Sequence, residues 1–432
     1  MNSASQQPGL TLPVDTLGCL ARSFRFPGLT DSLVFAYDSR GRLDHGRLAE
    51  AVELAVARHH PVAGARIERF GAIFYRWRCQ PFTADVYVRG PYVEPRSFAL
   101  TREPPLRIHV GDGTLAFEMS HVAFDAVGFA RVIRTVLDQY DALPRILAPI
   151  FDEVELRRGG RLYAPRPEGV RRNPGRRFVD PGSGRTLALH ADPVVRTGNE
   201  GRPGTLHHHL SLPLASVRAA AKGRGVTVND WLAAGALTGY AEWNSAHGAR
   251  ARFASIDLPA NLRPPDRATQ VAANVTGTFT VNLDLETSVG SRASFDETLV
   301  AFHAGKQLAD RDHRAWSMAP RWAVREHPTE LGVLVGRAVS RSLGNALLPF
   351  GPTLLLSNFG LLDGLTGRFA DLELARLRIE GSAYPAWTLD AISPSRDDLA
   401  LSFCVRKSHF SASTLADFAS LVEERVLSAC KS

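Results

Sequence analysis

A histidine and an aspartate four residues apart, His121 and Asp125, have the types and spacing that suit proton-transfer chemistry. The stretch before them, Thr114 to Ser120, alternates apolar and polar side chains, which predicts a β-strand. Continuing that alternation places His121 on the apolar face, so we expect its ring to point inward. An imidazole titrates near neutral pH and therefore suits a general base that accepts a proton from a hydroxyl or amine nucleophile.

Asp125 stands between that strand and a predicted helix, Ala126 to Tyr140, whose apolar residues recur at helical spacing. Its carboxylate is able to orient the imidazole, but it is equally a good N-cap for the helix. A single inward histidine is also common as a hydrogen-bonded core residue. On the residues alone, the catalytic and the structural interpretations of this pair both stay open.

The run His207, His208 and His209 offers potential metal ligands. In a strand, His207 and His209 share one face, and no carboxylate or cysteine pattern accompanies them. The four cysteines lie far apart without a CxxC pair, which argues against a disulfide scaffold and a thiolate zinc site. We therefore expect no metal. Gly223 and Gly225 match neither a Walker loop nor a dinucleotide loop, so nucleotide hydrolysis and nicotinamide chemistry have no support.

The elements that must hold these residues alternate between helix and strand along the whole chain. Asp44 is placed to cap an amphipathic helix in the first half, and Thr227 and Asp230 resemble a capping box that opens another helix in the second. Further predicted elements are strands at Ala72–Arg76, Leu106–Val110, Leu206–Leu212, Phe253–Leu258, Thr278–Leu285, Thr353–Ser357 and Leu399–Val405, and helices at Leu214–Ala221 and Leu415–Leu427. This order predicts a mixed α/β fold in which helices cover mixed sheets.

Composition and length set the class of protein. Of the 432 residues, 44% are hydrophobic and 22% charged, which is typical of a globular protein with a large core. The length predicts two or three units, or one pseudo-symmetric pair. The polar first nine residues predict no secretory signal, and charges and Pro352 interrupt the most apolar stretch, residues 331–365. We expect a cytoplasmic protein without a transmembrane segment.

Residues 155–204 form a Gly- and Pro-rich segment that carries most of the net charge. It holds eleven arginines against five acidic residues, and so contributes six of the seven net positive charges. We interpret it as a crossover linker between a first lobe, residues 1–154, and a second lobe, residues 205–432. Either it is simply solvated, or it recruits an acidic ligand such as the phosphates of coenzyme A or an acidic carrier protein. Nucleic acid is not expected, because the segment has almost no aromatic residues for base stacking.

Five segments resemble, in the right order, the chloramphenicol-acetyltransferase-like superfamily of condensation domains, polyketide-associated acyltransferases, wax-ester synthases and plant BAHD acyltransferases. Residues 115–140, "LAFEMSHVAFDAVGFARVIRTVLDQY", resemble its HHxxxDG region. Residues 43–67 and 225–240 resemble two of its helical segments, and "SIDLPANLRP" and "LLLSNFGLL" a strand and a loop of its second half. The resemblance implies an α/β (α+β) fold of two similar lobes, whose mixed sheets are flanked by helices and form a V-shaped cleft.

The resemblance also implies roles for individual residues. His121 is then the general base in a tunnel between the lobes, where it deprotonates the acceptor as the acceptor attacks a thioester. Asp125 is then structural and pairs with an arginine, for which Arg263 is the best match and Arg66 the runner-up. Ser357 is a candidate donor to the oxyanion of the tetrahedral intermediate. Alternatively, Ser357 and its neighbour only close a strand with a turn.

The function implied is an acyltransferase of secondary or lipid metabolism. It would move an acyl group from a thioester, on coenzyme A or an acyl or peptidyl carrier protein, to a small alcohol or amine acceptor. No permanently bound cofactor is implied, since the acyl-CoA or phosphopantetheinyl thioester is a substrate, and we expect a monomer. Candidate contacts for the donor phosphates are Arg171, Arg172, Arg176 and Arg177.

Two positions depart from the HHxxxDG pattern. Ser120 replaces its first histidine, and Ala126 replaces its glycine. Alanine clashes there only if the backbone has a positive φ. Two alternatives follow from the resemblance and these departures: a free-standing condensation enzyme that uses a carrier-bound amino acid, and a catalytically degenerate thioester-binding protein.

Overall fold

The fold is described from a computed structural model. The residues that the structure describes are 10–13, 32–70, 74–80, 86–148, 154, 162–171, 204–248, 253–267, 271–284, 294–318, 353–381, 387–407 and 410–431. Within these ranges the chain forms two six-stranded sheets and one three-stranded sheet, with helices against the large sheets. Both large sheets are mixed, because each contains parallel as well as antiparallel strand pairs. The predicted mixed α/β fold class is confirmed.

The first large sheet has the strand order β12–β13–β2–β7–β6–β5, the second has the order β10–β9–β11–β14–β15–β8, and the small sheet has the order β1–β4–β3. The strands are β1 Thr11–Pro13, β2 Ser32–Gly41, β3 Arg66–Phe70, β4 Phe74–Arg78, β5 Tyr87–Arg89, β6 Leu106–Gly111, β7 Thr114–Ser120, β8 Thr205–Pro213, β9 Phe253–Asn261, β10 Thr276–Asp284, β11 Leu354–Leu361, β12 Gly367–Phe369, β13 Leu372–Glu380, β14 Trp387–Ser393 and β15 Asp398–Arg406.

The helices pack into two separate apolar cores, one for each large sheet. They are α1 His45–Arg58, α2 Ala126–Ala142, α3 Leu214–Gly223, α4 Val228–Ala246, α5 Phe295–Arg311, α6 Ala315–Met318 and α7 Ala412–Ala429, with 3-10 turns at Pro61–Gly64 and Pro265–Arg267. Helices α1 and α2 contribute to the first core, and α3, α4, α5 and α7 contribute to the second. Each core belongs to one lobe.

Side-chain caps begin several of these helices, and the sequence predicts three of them. Asp44 accepts from the Arg47 amide at the start of α1, and Asp125 caps α2. Thr227 and Asp230 form a complete capping box at the start of α4. Every helix and strand predicted from periodicity overlaps an element of the structure.

Several of the strands that periodicity missed are buried on both faces or pair with strands far along the chain. β2 opens with six buried residues in a row, and all seven residues of β14 are buried, so neither strand alternates. Helix α5 was also not predicted. Strands β12 and β13 come from the second half of the chain but join the first sheet, where β13 pairs with β2. The second lobe is therefore not one continuous segment, 205–432, because residues 367–380 leave it.

Part of the basic crossover segment is folded against the second lobe. Leu162 and Tyr163 are buried in a small apolar cluster with residues of the second half, including Leu262 and Val271. The Ala164 amide also donates to the Leu262 carbonyl over 2.8 Å. Residues 162–164 are thus packed on the second lobe and are not a solvated linker. Among the described helices, none is long and apolar enough to cross a membrane.

Candidate active site

His121 lies in the turn that follows β7, at the junction of the two lobes. The strand ends at Ser120, so the alternation that predicted an inward ring stops one residue too early, and His121 is exposed. That prediction was wrong. The main chain of His121 is nevertheless fixed, because the Asn274 side-chain amide donates to its carbonyl over 2.7 Å. Within the described part of the chain, nothing hydrogen-bonds to the imidazole, which leaves its nitrogens available to a ligand.

Asp125 forms an ion pair with Arg263 that joins the two lobes. The carboxylate is buried and accepts five hydrogen bonds within the protein. The donors are the main-chain N–H groups of Gly128 (2.8 Å) and Val275 (2.7 Å), the Thr276 hydroxyl (2.8 Å) and two nitrogens of the Arg263 guanidinium (2.7 and 2.9 Å). Burial by itself raises the pKa of Asp125, but the Arg263 charge and these bonds outweigh it and hold the pKa below its ordinary value.

Arg263 is held just as completely. Its remaining N–H groups donate to the carbonyls of Val271 (3.0 Å) and Ala273 (2.7 Å) and to the Asn261 side chain (3.1 Å). Arg66, the runner-up from sequence, is the first residue of β3 and is not a partner of Asp125. Because Asp125 caps α2 and binds the second lobe with both oxygens, it fixes the loop that carries His121.

The two departures from the motif have different surroundings. Ala126 is the first residue of α2 and does not have a positive φ, so alanine fits without strain. The close approach occurs at Gly128 instead, where an added Cβ would lie 2.6 Å from the Ala273 carbonyl oxygen and 3.1 Å from Arg263. Ser120 is fully buried at the end of β7, opposite Ser32 of β2. Because β7 ends at Ser120, the next residue, His121, lies in the turn.

Ser357 lies on β11 in the second sheet, on a face that is polar although it is buried. The other face of this sheet is apolar and packs on its helices. In the strand registers, Ser357 is paired with Asp390 on β14. Asp390 is in turn paired with Ser402 on β15, and Ser402 is paired with His209 on β8. Buried polar residues on this face are Asp257, Thr280, Ser357, Thr388, Asp390, Ser402 and Cys404. The Ser357 hydroxyl has no hydrogen-bond partner within the described ranges.

Asp390 is the residue on this face that sequence reasoning missed. It is 5% exposed, and burial raises its pKa to about 7. Its one signal in the sequence is a lone acidic residue within the apolar run Trp387 to Ile392. Asn274, Val275 and Thr276, which hold the His121 loop, were missed as well, because residues at the start of a strand look like an ordinary turn and a main-chain donor such as the Val275 N–H leaves no mark in the sequence.

The histidine run takes part in a second junction between the lobes. His207 and His209 share a face, as predicted, and their nitrogens lie 3.6 Å from the carboxylate of Glu380 at the end of β13. The Tyr92 hydroxyl donates to the same carboxylate over 2.9 Å. Burial lowers the pKa of His207 more than the Glu380 charge raises it. No group of metal-binding residues occurs in the part of the chain that the structure describes.

Of the four arginines proposed to contact the donor, the structure describes Arg171. Its main-chain N–H donates to the Asp312 carbonyl over 3.0 Å, and its guanidinium is exposed, 3.9 Å from the Asp312 carboxylate. Arg172, Arg176 and Arg177 lie outside the described residues. The Arg171 guanidinium is therefore largely exposed to solvent.

Comparison with known proteins places the fold. No protein-family model matches the chain, and no curated protein matches it significantly. Among solved structures, polyketide synthase associated protein 5 from Mycobacterium tuberculosis aligns with a TM-score of 0.62 at 11% identity, over 98% of this chain and 99% of that one. The first condensation domain of the calcium-dependent antibiotic synthetase, in complex with a substrate analogue, gives 0.64 at 15% identity, over 98% and 97%.

An epimerization domain from the third module of tyrocidine synthetase B gives a TM-score of 0.58 at 12% identity, over 98% of this chain and 96% of that one. These alignments run through both lobes, and the low identities make them evidence for the fold alone. Together with the two mixed six-stranded sheets, they confirm the resemblance at that level. This chain has the two-lobe chloramphenicol-acetyltransferase-like fold of condensation domains.

Proposed function

We propose that the protein is an acyltransferase that moves an acyl group from a thioester to an alcohol or amine, with His121 as the general base. The observation that carries the proposal is the state of His121. Its main chain is held by Asn274 and its loop by the Asp125–Arg263 pair, while its exposed ring has no partner among the described residues. A histidine fixed by its backbone and free at its ring suits proton transfer with a ligand at the junction.

The chemical step follows from this arrangement. The acceptor hydroxyl or amine gives a proton to His121 as its oxygen or nitrogen attacks the thioester carbonyl. The tetrahedral intermediate then expels the thiolate, which takes the proton back from the imidazole. The Ser357 hydroxyl, on the buried polar face of the second lobe, is our candidate donor to the intermediate's oxyanion.

The donor we propose is acyl-CoA or a phosphopantetheinyl thioester on a carrier protein. The support is electrostatic, because the crossover segment concentrates arginines and its described end, Arg171, is exposed. A free-standing condensation enzyme that joins a carrier-bound amino acid uses the same step and is an alternative within this class. A degenerate thioester-binding protein is the alternative from another class, and its motivation is Ser120, since Ala126 fits its site.

The proposal is tested with His121→Ala in a thiol-release assay. Acetyl-CoA, octanoyl-CoA and alanyl-pantetheine thioester are each presented with a panel of primary alcohols and amines, and products are identified by mass. Loss of the base should lower kcat by about 10² to 10⁴ with an unchanged circular dichroism spectrum.

His45→Ala is the matched control, because His45 is an exposed histidine at the start of α1, away from the lobe junction. It should keep wild-type turnover. A folded His121→Ala protein that retains more than about a tenth of the activity removes the general-base role. Thioester binding without transfer by the wild type would favour the degenerate alternative.

A further inference from the structure

Asp390 is a buried carboxyl group that has no partner among the described residues. No hydrogen bond or cation reaches it within the described part of the chain, and burial is the one influence on its pKa. A buried polar group without a partner is costly and is usually compensated. Asp390 therefore lacks a partner among the described residues, and a bound ligand is able to supply one.

Its neighbours show which other group is free. Ser402, on one side, already donates its hydroxyl to the Ile379 carbonyl. Ser357, on the other side, is the register partner of Asp390 on β11, and its hydroxyl has no hydrogen bond in the described ranges. Parallel strands lie about 4.8 Å apart, so these two side chains stand next to each other on one face.

The position of this pair is at the junction of the lobes. An ideal Cβ on Gly381 would lie 3.4 Å from an Asp390 carboxylate oxygen and 3.6 Å from Leu33 of β2. Gly381 follows the end of β13, which pairs with β2, and β2 pairs with β7. On the first sheet, the end of β13 is thus two strand spacings, roughly 10 Å, from the end of β7 that precedes His121, and Asp390 lies beside the β13 end.

We infer that Asp390 and Ser357 form a recognition subsite for a primary ammonium group of the substrate. The inference rests on the proposed acyl transfer, and the amine belongs either to the acceptor or to an aminoacyl donor. An ammonium ion brings three N–H donors and a positive charge, which match a carboxylate and a hydroxyl oxygen. A Ca²⁺ or Mg²⁺ ion needs more oxygen ligands than this pair offers.

The chemistry of Asp390 fits this ligand. Its pKa of about 7 leaves the group readily protonated when the site is empty. A bound ammonium favours the carboxylate and lowers that pKa. The titratable groups around it are Cys404 on β15, and His207 and Glu380, which lie beside Gly381. None of these is a cation that already neutralises Asp390.

The test measures binding in the absence of turnover, with probes that differ by one amino group. The donor arm compares alanyl-pantetheine with propionyl-pantetheine, both linked through a stable amide, and the acceptor arm compares 6-amino-1-hexanol with 1-hexanol. Calorimetry at pH 7.5 gives the affinity ratio within each pair. The wild type should prefer the amine in one arm by about 10- to 100-fold, as expected for a charge-assisted hydrogen bond. The arm that shows the preference identifies the substrate that carries the amine.

Two variants and one control separate the subsite from general effects. Asp390→Asn should reduce the preference to about one, and Ser357→Ala should reduce it partly. Asp310→Asn is the control, because Asp310 also has a pKa raised by desolvation but lies on α5, outside the junction. This variant should preserve the affinity ratio. Equal affinities within both pairs, no binding of either amine probe at millimolar concentration, or a preference that survives Asp390→Asn would overturn the subsite. Acyl transfer is assayed independently. The subsite can therefore fail while the proposed function stands, and acyl transfer can fail while the amine preference is observed.

Discussion

Two buried carboxylates at the junction of the lobes, Asp125 and Asp390, have opposite surroundings. Asp125 receives five hydrogen bonds, two of them from Arg263, and its pKa lies below the ordinary value. Asp390 receives none from the described residues, and its pKa is raised to about 7. The protein itself supplies the partners of the first carboxylate, whereas the inferred subsite assigns a bound ammonium group as the partner of the second. The comparison separates the architecture of the junction from its chemistry.

The same division applies to the other groups at the junction. Asn274 and Arg263 bind protein atoms with their polar groups, and they hold the lobes together. The imidazole of His121 and the hydroxyl of Ser357 have no partner in the described ranges. The groups with a partner thus join the lobes, and the two groups without one are those to which the proposed function assigns a substrate contact.

The largest effect should come from breaking the Asp125–Arg263 pair. Removing one member of a buried ion pair leaves an uncompensated charge and costs about 3 to 5 kcal/mol of unfolding free energy. Asp125→Asn keeps an N-cap for α2, so its effect reports the charge and not the cap. Arg263→Gln should cost a similar amount, and the double variant should cost less than both together. Urea unfolding of the four proteins measures this coupling.

The exposed pair of Arg224 and Asp296, 2.7 Å apart, is the control for that cycle. Its coupling should fall below about 1 kcal/mol, because water screens exposed pairs. If the losses at Asp125 and Arg263 simply add, the two residues do not act as a pair. The architectural half of the comparison then fails.

Asp390→Asn should instead stabilise the protein, by about 4 kcal/mol at most. The folded-state pKa of about 7 lies above the unfolded value of about 3.9, and each pKa unit corresponds to about 1.4 kcal/mol. Above pH 7 the wild type carries the full penalty for ionising Asp390. The penalty shrinks as pH falls and vanishes below about pH 4, so the gain from Asn follows the same course. Unfolding of both proteins between pH 5 and 8.5 measures it.

Asp125 gives the opposite pH dependence, which sharpens the comparison. Its folded-state pKa is depressed, so its stabilisation is present above about pH 3.9 and is lost as the pH falls through the folded-state pKa. Cys404, Glu380 and His207 remain in both the wild type and the Asp390→Asn variant, and their contributions cancel to first order. If the difference in unfolding free energy between Asp390→Asn and the wild type stays constant from pH 5 to 8.5, Asp390 has a partner in the protein and the comparison fails.

The fold was predictable where the pattern is local. Caps and amphipathic periods located α1, α2 and α4, because a helix contains its own signals. β2 and β14 escaped, since strands buried on both faces do not alternate. β13 escaped for a different reason: its partner, β2, lies more than 300 residues away, and pairing at that distance leaves no trace in one sequence.

The candidate site shows the same limit. The five resembling segments implied the pairing of Asp125 with Arg263, and the structure brings the two residues together at 2.7 Å. The orientation of His121 was misjudged, because the strand pattern does not mark the residue at which β7 ends. Asp390 was missed because one sequence does not show that its carboxyl group is buried without a partner among the described residues, which appears once the surrounding elements are assembled.

The smallest effect should come from the crossover segment, which lies outside both halves of the comparison. Arg171 is exposed and only loosely paired with Asp312, so its charge is free to act at a distance. Replacing Arg171, Arg172, Arg176 and Arg177 with Gln should raise KM for a coenzyme A thioester roughly fivefold to tenfold at low salt, if each of the four charges contributes roughly 0.3 kcal/mol. The effect should shrink in 0.3 M salt, because the Debye length is already about 10 Å at 0.1 M.

The control replaces an equal number of exposed arginines elsewhere with Gln, and it should leave KM unchanged. These are Arg42, Arg102, Arg218 and Arg368. A change in the acceptor KM alone would assign the segment to acceptor recognition, and no change at low salt would make its charge irrelevant to the donor.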